Sequence, residues 1–183
     1  MIYKQVEGLE GAFIVDLDIH QDSRGFLSEI WKEGKFSDLL EWKNFNLVQE
    51  NFVTSNFGAI RGIHRTEKSH PQNKVLCCLN GNIVDYLVDL RPEYSSFKKV
   101  FKIELNSTKL QLLLVPKRIG HSFQTLSGTS VVCYFFDRIY KPSEEIGINP
   151  LDDELNIEWN EPYLISEKDK IAPNLREIPL EKL

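Results

Sequence analysis

KVLCCLNGNIVDYLVDL, residues 74–90, consists of two apolar runs separated by an Asn-Gly step. Valine, isoleucine and tyrosine favour extended backbone, and Asn-Gly accepts the positive φ values of a tight turn, so the stretch predicts a hairpin of strands Lys74–Leu79 and Ile83–Leu90. Alternation along the second strand gives one uniformly apolar face and one face on which Asp85 and Asp89 lie among aliphatic residues. The mixed face fits either the lining of a partly hydrated barrel or a solvated outer surface.

Short runs of the same kind recur along the whole chain, at intervals typical of an all-β sandwich or barrel. The other predicted strands are Ala12–Leu17, Phe26–Trp31, Leu47–Ser55, Ala59–His64, Val100–Leu105, Leu110–Val115, His121–Leu126, Ser130–Ile139 and Leu155–Trp159. A helix is predicted at Lys35–Trp42, because apolar residues there follow the helical repeat. Residues 1–183 are predicted to form a single domain, whose C-terminal third is loop-rich and wraps the sheet.

The composition of the chain argues against several classes of function. Its 22 lysines and arginines are outnumbered by 27 aspartates and glutamates and form no basic tract, so nucleic acid is not an expected partner. No apolar run approaches the length of a membrane span, and the first residues do not resemble a leader. The cysteines are odd in number, and Cys77 and Cys78 are adjacent, which argues against a disulfide framework. We therefore expect a soluble, cytoplasmic protein with no membrane partner.

A glycine separates two chemically useful side chains in the predicted strand Ala59–His64. Gly62 can bulge the strand, so that Arg61 and His64, which alternation would send to opposite faces, converge on one pocket. The planar guanidinium of an arginine suits a phosphate, and histidine readily takes a proton near neutral pH. The segment therefore indicates chemistry on a phosphorylated substrate. The alternative is a strand with an exposed arginine and a hydrogen-bonded histidine.

Two other predicted strands present polar side chains on one face. Gln49 and Asn51 share a face of one strand, and Tyr134 and Tyr140 share a face of another. The two phenols fit a common cavity, and they fit equally a packed strand whose hydroxyl groups are satisfied elsewhere.

Several short strings, taken together, resemble a known family. They are Arg24-Gly25-Phe26-Leu27-Ser28-Glu29, Gln49-Glu50-Asn51, Arg61-Gly62-Ile63-His64, Asp85 through Arg91, Pro116 through Phe123, Tyr134 with Tyr140-Lys141-Pro142, Glu145-Ile146-Gly147-Ile148 and Ser166-Glu167-Lys168-Asp169. Their order is that of dTDP-4-dehydrorhamnose 3,5-epimerases, which the chain resembles over most of its length. The resemblance implies a cupin-type jelly roll, that is, a double-stranded β-helix with a few short peripheral helices. It also implies a homodimer that exchanges N-terminal strands.

The same resemblance implies an activity and assigns catalytic residues. The activity is epimerisation at C3, C5 or both of a nucleotide-diphosphate-linked 4-keto-6-deoxy sugar, through an enolate and without cofactor or metal. His64 would be the base and Asp169 would orient it. Lys74 would stabilise the enolate oxygen, and Tyr134 would return a proton on the opposite face of the ring.

The resemblance also assigns substrate-binding residues. Arg61 would bind the diphosphate, since bidentate arginine contacts suit that group. Arg24 and Glu29 would reach the nucleotide from the partner subunit. The remaining substrate-binding residues would be Gln49, Asn51, His121 and Tyr140.

Departures from the family pattern leave alternatives open. Arg65-Thr66 follows His64 where an aromatic residue and a glutamine are usual, and Ile119 and Ser122 flank His121 where alanine and glycine are typical. A single-carbon epimerase or a ketoisomerase acting on a different nucleotide sugar would fit these changes. A metal-dependent cupin is disfavoured because Thr66 stands where its second histidine would be. A non-catalytic sugar-binding module is the remaining alternative.

Overall fold

The computed structural model describes all residues from Met1 to Leu183, and almost all regular structure in it is β-strand. The fourteen strands are β1 (Ile2–Gln5), β2 (Phe13–Asp16), β3 (His20–Asp22), β4 (Gly25–Leu27), β5 (Gln49–Asn56), β6 (Ala59–Thr66), β7 (Lys74–Asn80), β8 (Asn82–Asp89), β9 (Val100–Asn106), β10 (Gln111–Val115), β11 (Ile119–Thr125), β12 (Thr129–Phe136), β13 (Glu145–Gly147) and β14 (Leu164–Ile165). Helix is confined to the single turn α1 (Glu167–Lys170) and to 3-10 turns at Pro142–Glu144 and Leu175–Glu177. No helix has the length and apolar character needed to cross a membrane.

The strands form two sheets of six and one isolated hairpin. The first sheet has the order β1-β2-β10-β7-β12-β5, and the second has the order β13-β6-β11-β8-β9, with β14 pairing parallel to β6. Strands β3 and β4 pair only with each other. From β5 to β8 and again from β9 to β13, strands adjacent in sequence alternate between the two sheets, which is the arrangement of a jelly roll. The predicted all-β, cupin-type jelly roll is confirmed.

The Asn80-Gly81-Asn82 step is a corner between the sheets, and the predicted hairpin is wrong. Strand β7 pairs with β10 and β12, whereas β8 pairs with β11 and β9. Gly81 does adopt a left-handed φ of 77°, and a Cβ there would lie 2.3 Å from the carbonyl oxygen of Thr129. The local sequence therefore specifies the turn conformation but not the neighbours of the strands on either side of it.

The core lies between the two sheets, and both outer faces are also covered. Ile83 and Leu87 of β8 pack in the central cluster, so the mixed face of this strand lines the interior. Val88 and Leu90, from its apolar face, pack beneath C-terminal residues such as Leu175. Both faces of β8 are therefore buried.

Three local predictions are wrong. Lys35–Trp42 forms successive turns, in which Leu39 N–H bonds to Phe36 and Trp42 N–H bonds to Leu39, because the aromatic side chains anchor the segment to the outer face of the first sheet. Leu155–Trp159 forms no strand, since it crosses the outside of the second sheet without a neighbouring edge. In the predicted strand Phe26–Trp31, pairing ends at Leu27.

Candidate active site

A cavity of about 560 Å³ is lined by residues of both sheets and of α1. Most side chains that the sequence indicated contribute to its wall: Asn51, Arg61, His64, Lys74, His121, Tyr134, Tyr140 and Asp169. They come from distant parts of the chain, because the jelly roll places alternate strands opposite one another. The cavity is therefore the candidate active site.

A bulge in β6 brings Arg61 and His64 to the same cavity. In the pairing of β6 with β11, His64 lies opposite His121 and Arg61 lies opposite Phe123, so two residues of β6 face a single residue of β11. Gly62, within the bulge, has a φ of 115°, and a Cβ there would lie 2.4 Å from the carbonyl oxygen of His121. Only glycine fits this position without displacing the neighbouring backbone.

His64 is held by a carboxylate from the C-terminal segment. Its Nε2 lies 2.7 Å from Oδ1 of Asp169, and the hydroxyl of Ser166 donates to Oδ2 of the same carboxylate at 2.9 Å. Burial alone would raise the pKa of Asp169, but the hydrogen bonds from His64, Ser166 and the backbone of Gly62 outweigh burial and lower the pKa. Asp169 therefore remains ionised and orients the imidazole.

The α1 turn fixes the position of Asp169. Ser166 caps this turn, accepting a hydrogen bond from the backbone N–H of Asp169 at 3.1 Å. Strand β14, immediately before the cap, pairs with β6, which carries His64. The segment that supplies the carboxylate is therefore attached directly to the strand that supplies the imidazole.

Lys74 is buried beside His64, and its ammonium group donates to the carbonyl oxygen of His64 at 3.1 Å. Burial lowers the pKa of Lys74 to about 8, and the nearby charge of Arg65 also lowers it, against the opposing effects of Glu145 and Asp85. The side chain is therefore cationic at neutral pH and close to losing its proton.

Tyr134 presents a phenol to the cavity from the opposite sheet. Its ring stacks on Phe136, with centroids 5.8 Å apart, and the ring of His121 meets it edge-on at the same distance. Burial and the charge of Asp85 raise the pKa of Tyr134 well above its ordinary value, although Arg61 opposes the shift. The phenol therefore keeps its proton at neutral pH and is suited to act as an acid.

Arg61 and its neighbours form the polar rim of the cavity. Nε of Arg61 donates to the hydroxyl of Ser55 at 2.8 Å, and a terminal guanidinium nitrogen donates to the carbonyl of Thr54 at 3.1 Å. Gln49 does not line the cavity. Its side chain instead bonds to Asn51 at 3.0 Å and to the backbone N–H of Tyr140 at 2.7 Å, joining two residues that do line it.

Arg24 and Glu29 lie outside the cavity of their own chain. The exposed guanidinium of Arg24 pairs with Asp22, and Glu29 pairs with Lys32 and Lys35. A single chain therefore does not bring these two predicted substrate-binding residues to the site.

Some side chains at the cavity were not predicted from the sequence as site residues. Glu145 and Lys168 form an ion pair on the cavity wall, and Gln72 also lines it. Behind the wall, Asp85 bonds to His121. The strings around Glu145 and Lys168 contributed to the resemblance, which was a usable signal for these two residues. Asp85 also began one of those strings and lay on the mixed face of a strand, but neither signal identified His121 as its partner.

A jelly roll whose cavity combines a His–Asp pair, a buried lysine and a protonated phenol has the groups that an isomerase working by proton transfer needs. The family described as dTDP-4-dehydrorhamnose 3,5-epimerase matches residues 7–177. The chain is 30% identical over 176 residues to a dTDP-4-dehydrorhamnose 3,5-epimerase of Methanothermobacter thermautotrophicus, covering 94% of each protein. The protein belongs to the dTDP-4-dehydrorhamnose 3,5-epimerase family, which consists of isomerases.

Solved structures similar to this one include enzymes that differ in their named reaction. A dTDP-6-deoxy-D-glucose-3,5-epimerase from Legionella pneumophila Philadelphia 1, in complex with dTDP-4-keto-L-rhamnose, is 29% identical with a TM-score of 0.92, over 100% of this chain and 96% of that one. A 3'-monoepimerase from Streptomyces bikiniensis, in complex with dTDP-quinovose, is 29% identical with a TM-score of 0.88, over 94% and 88% of the respective chains.

Proposed function

We propose that the protein epimerises a dTDP-linked 4-keto-6-deoxy sugar at C3, C5 or both, through an enolate, as a step in deoxysugar biosynthesis. One observation carries the proposal: a base with its carboxylate, a lysine and a phenol line a single cavity. The names of similar proteins, which include dTDP-4-dehydrorhamnose 3,5-epimerases and dTDP-4-dehydro-6-deoxyglucose 3-epimerases, support the substrate class.

The proposed reaction needs only proton transfers. His64, oriented by Asp169, removes the proton from the carbon next to the ketone. The electron pair moves onto the ketone oxygen, where the ammonium group of Lys74 stabilises the negative charge. Tyr134 delivers a proton to the same carbon from the other side, which inverts its configuration. The deprotonated phenol then regains its proton, and His64 releases its own.

The rim residues are proposed to bind the nucleotide. Arg61 donates to the diphosphate, while Asn51 and Tyr140, tied together by Gln49, contact the rest of the ligand. His121 contacts the sugar. The location in the cytoplasm and the absence of nucleic-acid and membrane partners stay predictions of the sequence.

The direct test is NMR spectroscopy of dTDP-4-keto-6-deoxyglucose incubated with the protein in D₂O. We expect deuterium to enter next to the ketone, with product of inverted configuration. Deuterium and inversion at both C3 and C5 indicate a 3,5-epimerase, and inversion at one carbon alone indicates a monoepimerase. No exchange and no inversion with this substrate would contradict the proposed function.

The rate should fall as pH rises through about 8, where Lys74 loses its proton. The neutral amine no longer attracts the enolate oxygen, so kcat/KM, which reports groups of the free enzyme, should fall about tenfold per pH unit above that value. Lys74→Gln should lose about a hundred- to thousandfold in rate. Its kcat/KM should also no longer fall above about pH 8, so the alkaline limb of the pH profile should be absent. An unchanged limb in Lys74→Gln would contradict the assignment.

The protein should be a homodimer that shares its sites between subunits. Arg24 lies in the β3–β4 hairpin, outside both sheets, next to Phe26 and Leu27, whose side chains are largely exposed. Mixing an Arg24→Ala chain with a His64→Ala chain should therefore restore some activity, because one hybrid site receives both native residues. Mixed dimers without recovered activity would show that the site is not shared.

Activity should resist chelators and need no nicotinamide. Both histidines of the cavity already bond to a carboxylate through Nε2, and no group of three or more potential metal ligands occurs in the structure. We expect unchanged turnover after dialysis against EDTA. Loss of activity that a divalent cation restores would favour the metal-dependent cupin alternative.

A further inference from the structure

Asp85 is a completely buried carboxylate directly behind the cavity wall. Its Oδ2 lies 2.7 Å from Nε2 of His121, and its Oδ1 has no hydrogen-bond partner. His121 lines the cavity, whereas Asp85 does not. Any effect of Asp85 on a bound sugar must therefore pass through its neighbours.

A second buried aspartate on the same strand shows what a structural carboxylate looks like here. Asp89 receives hydrogen bonds from the backbone and guanidinium of Arg91 and from the hydroxyl of Ser96, so both of its oxygens are satisfied. Asp85 has only one such bond. An incompletely paired buried carboxylate costs stability, so Asp85 is poorly explained as a structural residue.

The ring that Asp85 holds is close to the proposed acid, on the residue that pairs with the proposed base. His121 is directly opposite His64 in the pairing of β11 with β6, and its ring meets Tyr134 edge-on at 5.8 Å. A carboxylate at Nε2 favours the tautomer with the proton on that nitrogen, which leaves Nδ1 as an acceptor. Nδ1 has no partner within the chain, and the ring borders the cavity.

We propose that Asp85 is a positioning residue that fixes the ring and tautomer of His121, so that Nδ1 accepts a hydrogen bond from a hydroxyl of the bound sugar. The inference rests on the proposed function for the identity of the ligand as a sugar. The site would then contain two His–Asp pairs. His64 and Asp169 remove the proton next to the ketone, and His121 and Asp85 orient the sugar.

The charge of Asp85 has a second, measurable effect on the site. Lys74 is faced by Glu145 and Asp85, which favour its cationic form, and by Arg65, which opposes it. Asp85 likewise opposes ionisation of Tyr134, on which Arg61 acts in the other direction. Removing the charge of Asp85 should therefore move the alkaline limb due to Lys74 to lower pH. This shift reports the charge of Asp85, whereas the loss in kcat/KM and the double variant with His121 report its positioning role.

The kinetic test compares Asp85→Asn with Asp89→Asn. Asparagine can turn its amide N–H toward Nε2 and so select the other tautomer of His121. We expect Asp85→Asn to lose about ten- to a hundredfold in kcat/KM, the range for one charge-assisted hydrogen bond, and to show the shifted limb. In a His121→Gln background the same change should cause little further loss. Asp89→Asn should lower the melting temperature and leave the kinetic constants and pH profile unchanged.

Two kinetic results would overturn the inference. One is an Asp85→Asn enzyme with the kcat/KM and limb of the wild type. The other is a double variant in which the losses from Asp85→Asn and His121→Gln simply add, since that would show that the two residues act independently.

A test on the unaltered protein does not depend on turnover or on the folding of a variant. The chain has four histidines, so ¹⁵N NMR of the imidazoles can be assigned residue by residue. We expect His121 to carry its proton on Nε2 in a single fixed tautomer. Rapid exchange between tautomers, or a proton on Nδ1, would overturn the inference. If the spectrum is as expected but the protein turns over no dTDP-sugar, the proposed function is refuted and the inference about the tautomer of His121 stands.

Discussion

Replacing His64 with alanine should abolish both epimerisation and the exchange of substrate protons with solvent. No other group in the cavity combines an accessible nitrogen with an ionised carboxylate partner from α1. The expected loss in rate is about two to four orders of magnitude, which is typical of removing a general base. The measurement is NMR of the substrate in D₂O, which follows deuterium incorporation and configuration in the same sample.

Tyr134→Phe is the matched comparison, because it removes only a hydroxyl group and retains the ring that stacks on Phe136. Deprotonation by His64 should continue, so deuterium should enter the substrate with retained configuration while inversion falls steeply. The two variants therefore differ in kind as well as in magnitude. Continued exchange with His64→Ala, together with no exchange with Tyr134→Phe, would reverse the assignment of base and acid.

The second large effect is expected from Gly62→Ala. The new methyl group would lie 2.4 Å from the carbonyl oxygen of His121, on a residue with a φ of 115° that side-chain-bearing residues rarely adopt. We expect a loss of about 2–4 kcal/mol in the free energy of unfolding, measured by urea denaturation. Relief of the clash would displace Arg61 and His64, so the folded fraction should also lose about a hundredfold in kcat/KM.

Gly128→Ala is the control for this variant. Gly128 is exposed, and a Cβ at that position would meet no atom within 4 Å. The control should keep wild-type activity and nearly wild-type stability. A Gly62→Ala protein that behaves like the control would show that the bulge tolerates a side chain and does not determine the geometry of the site.

The sequence predicted the strands well wherever alternation and burial agree. Of the two alternatives for the face of β8 that carries Asp85, the interior lining is the one found, and Gly62 does mark a bulge that brings Arg61 and His64 to one cavity. Each of these features depends on the backbone within a few residues. Local patterns carry that information, since side-chain direction follows directly from strand geometry.

The remaining features depend on partners that a local pattern does not specify. Asn80-Gly81 indicated a turn, but which sheet receives the next strand depends on the whole topology. The segment Lys35–Trp42 has helical spacing, yet its aromatic residues gain more by packing on a sheet than the backbone gains from a short helix. For Asp85, the missing information was a neighbour 36 positions away, His121.

The distance in sequence between His64 and Asp169, 105 positions, links the proposed catalysis to the docking of the C-terminal segment. The two large sheets are complete without α1, so a fluctuation that releases residues around Ser166 would separate the pair while leaving most of the core intact. Such partial openings occur at lower free energy than global unfolding. Under mild denaturing conditions the enzyme should therefore lose its activity while its circular dichroism spectrum still shows an intact jelly roll.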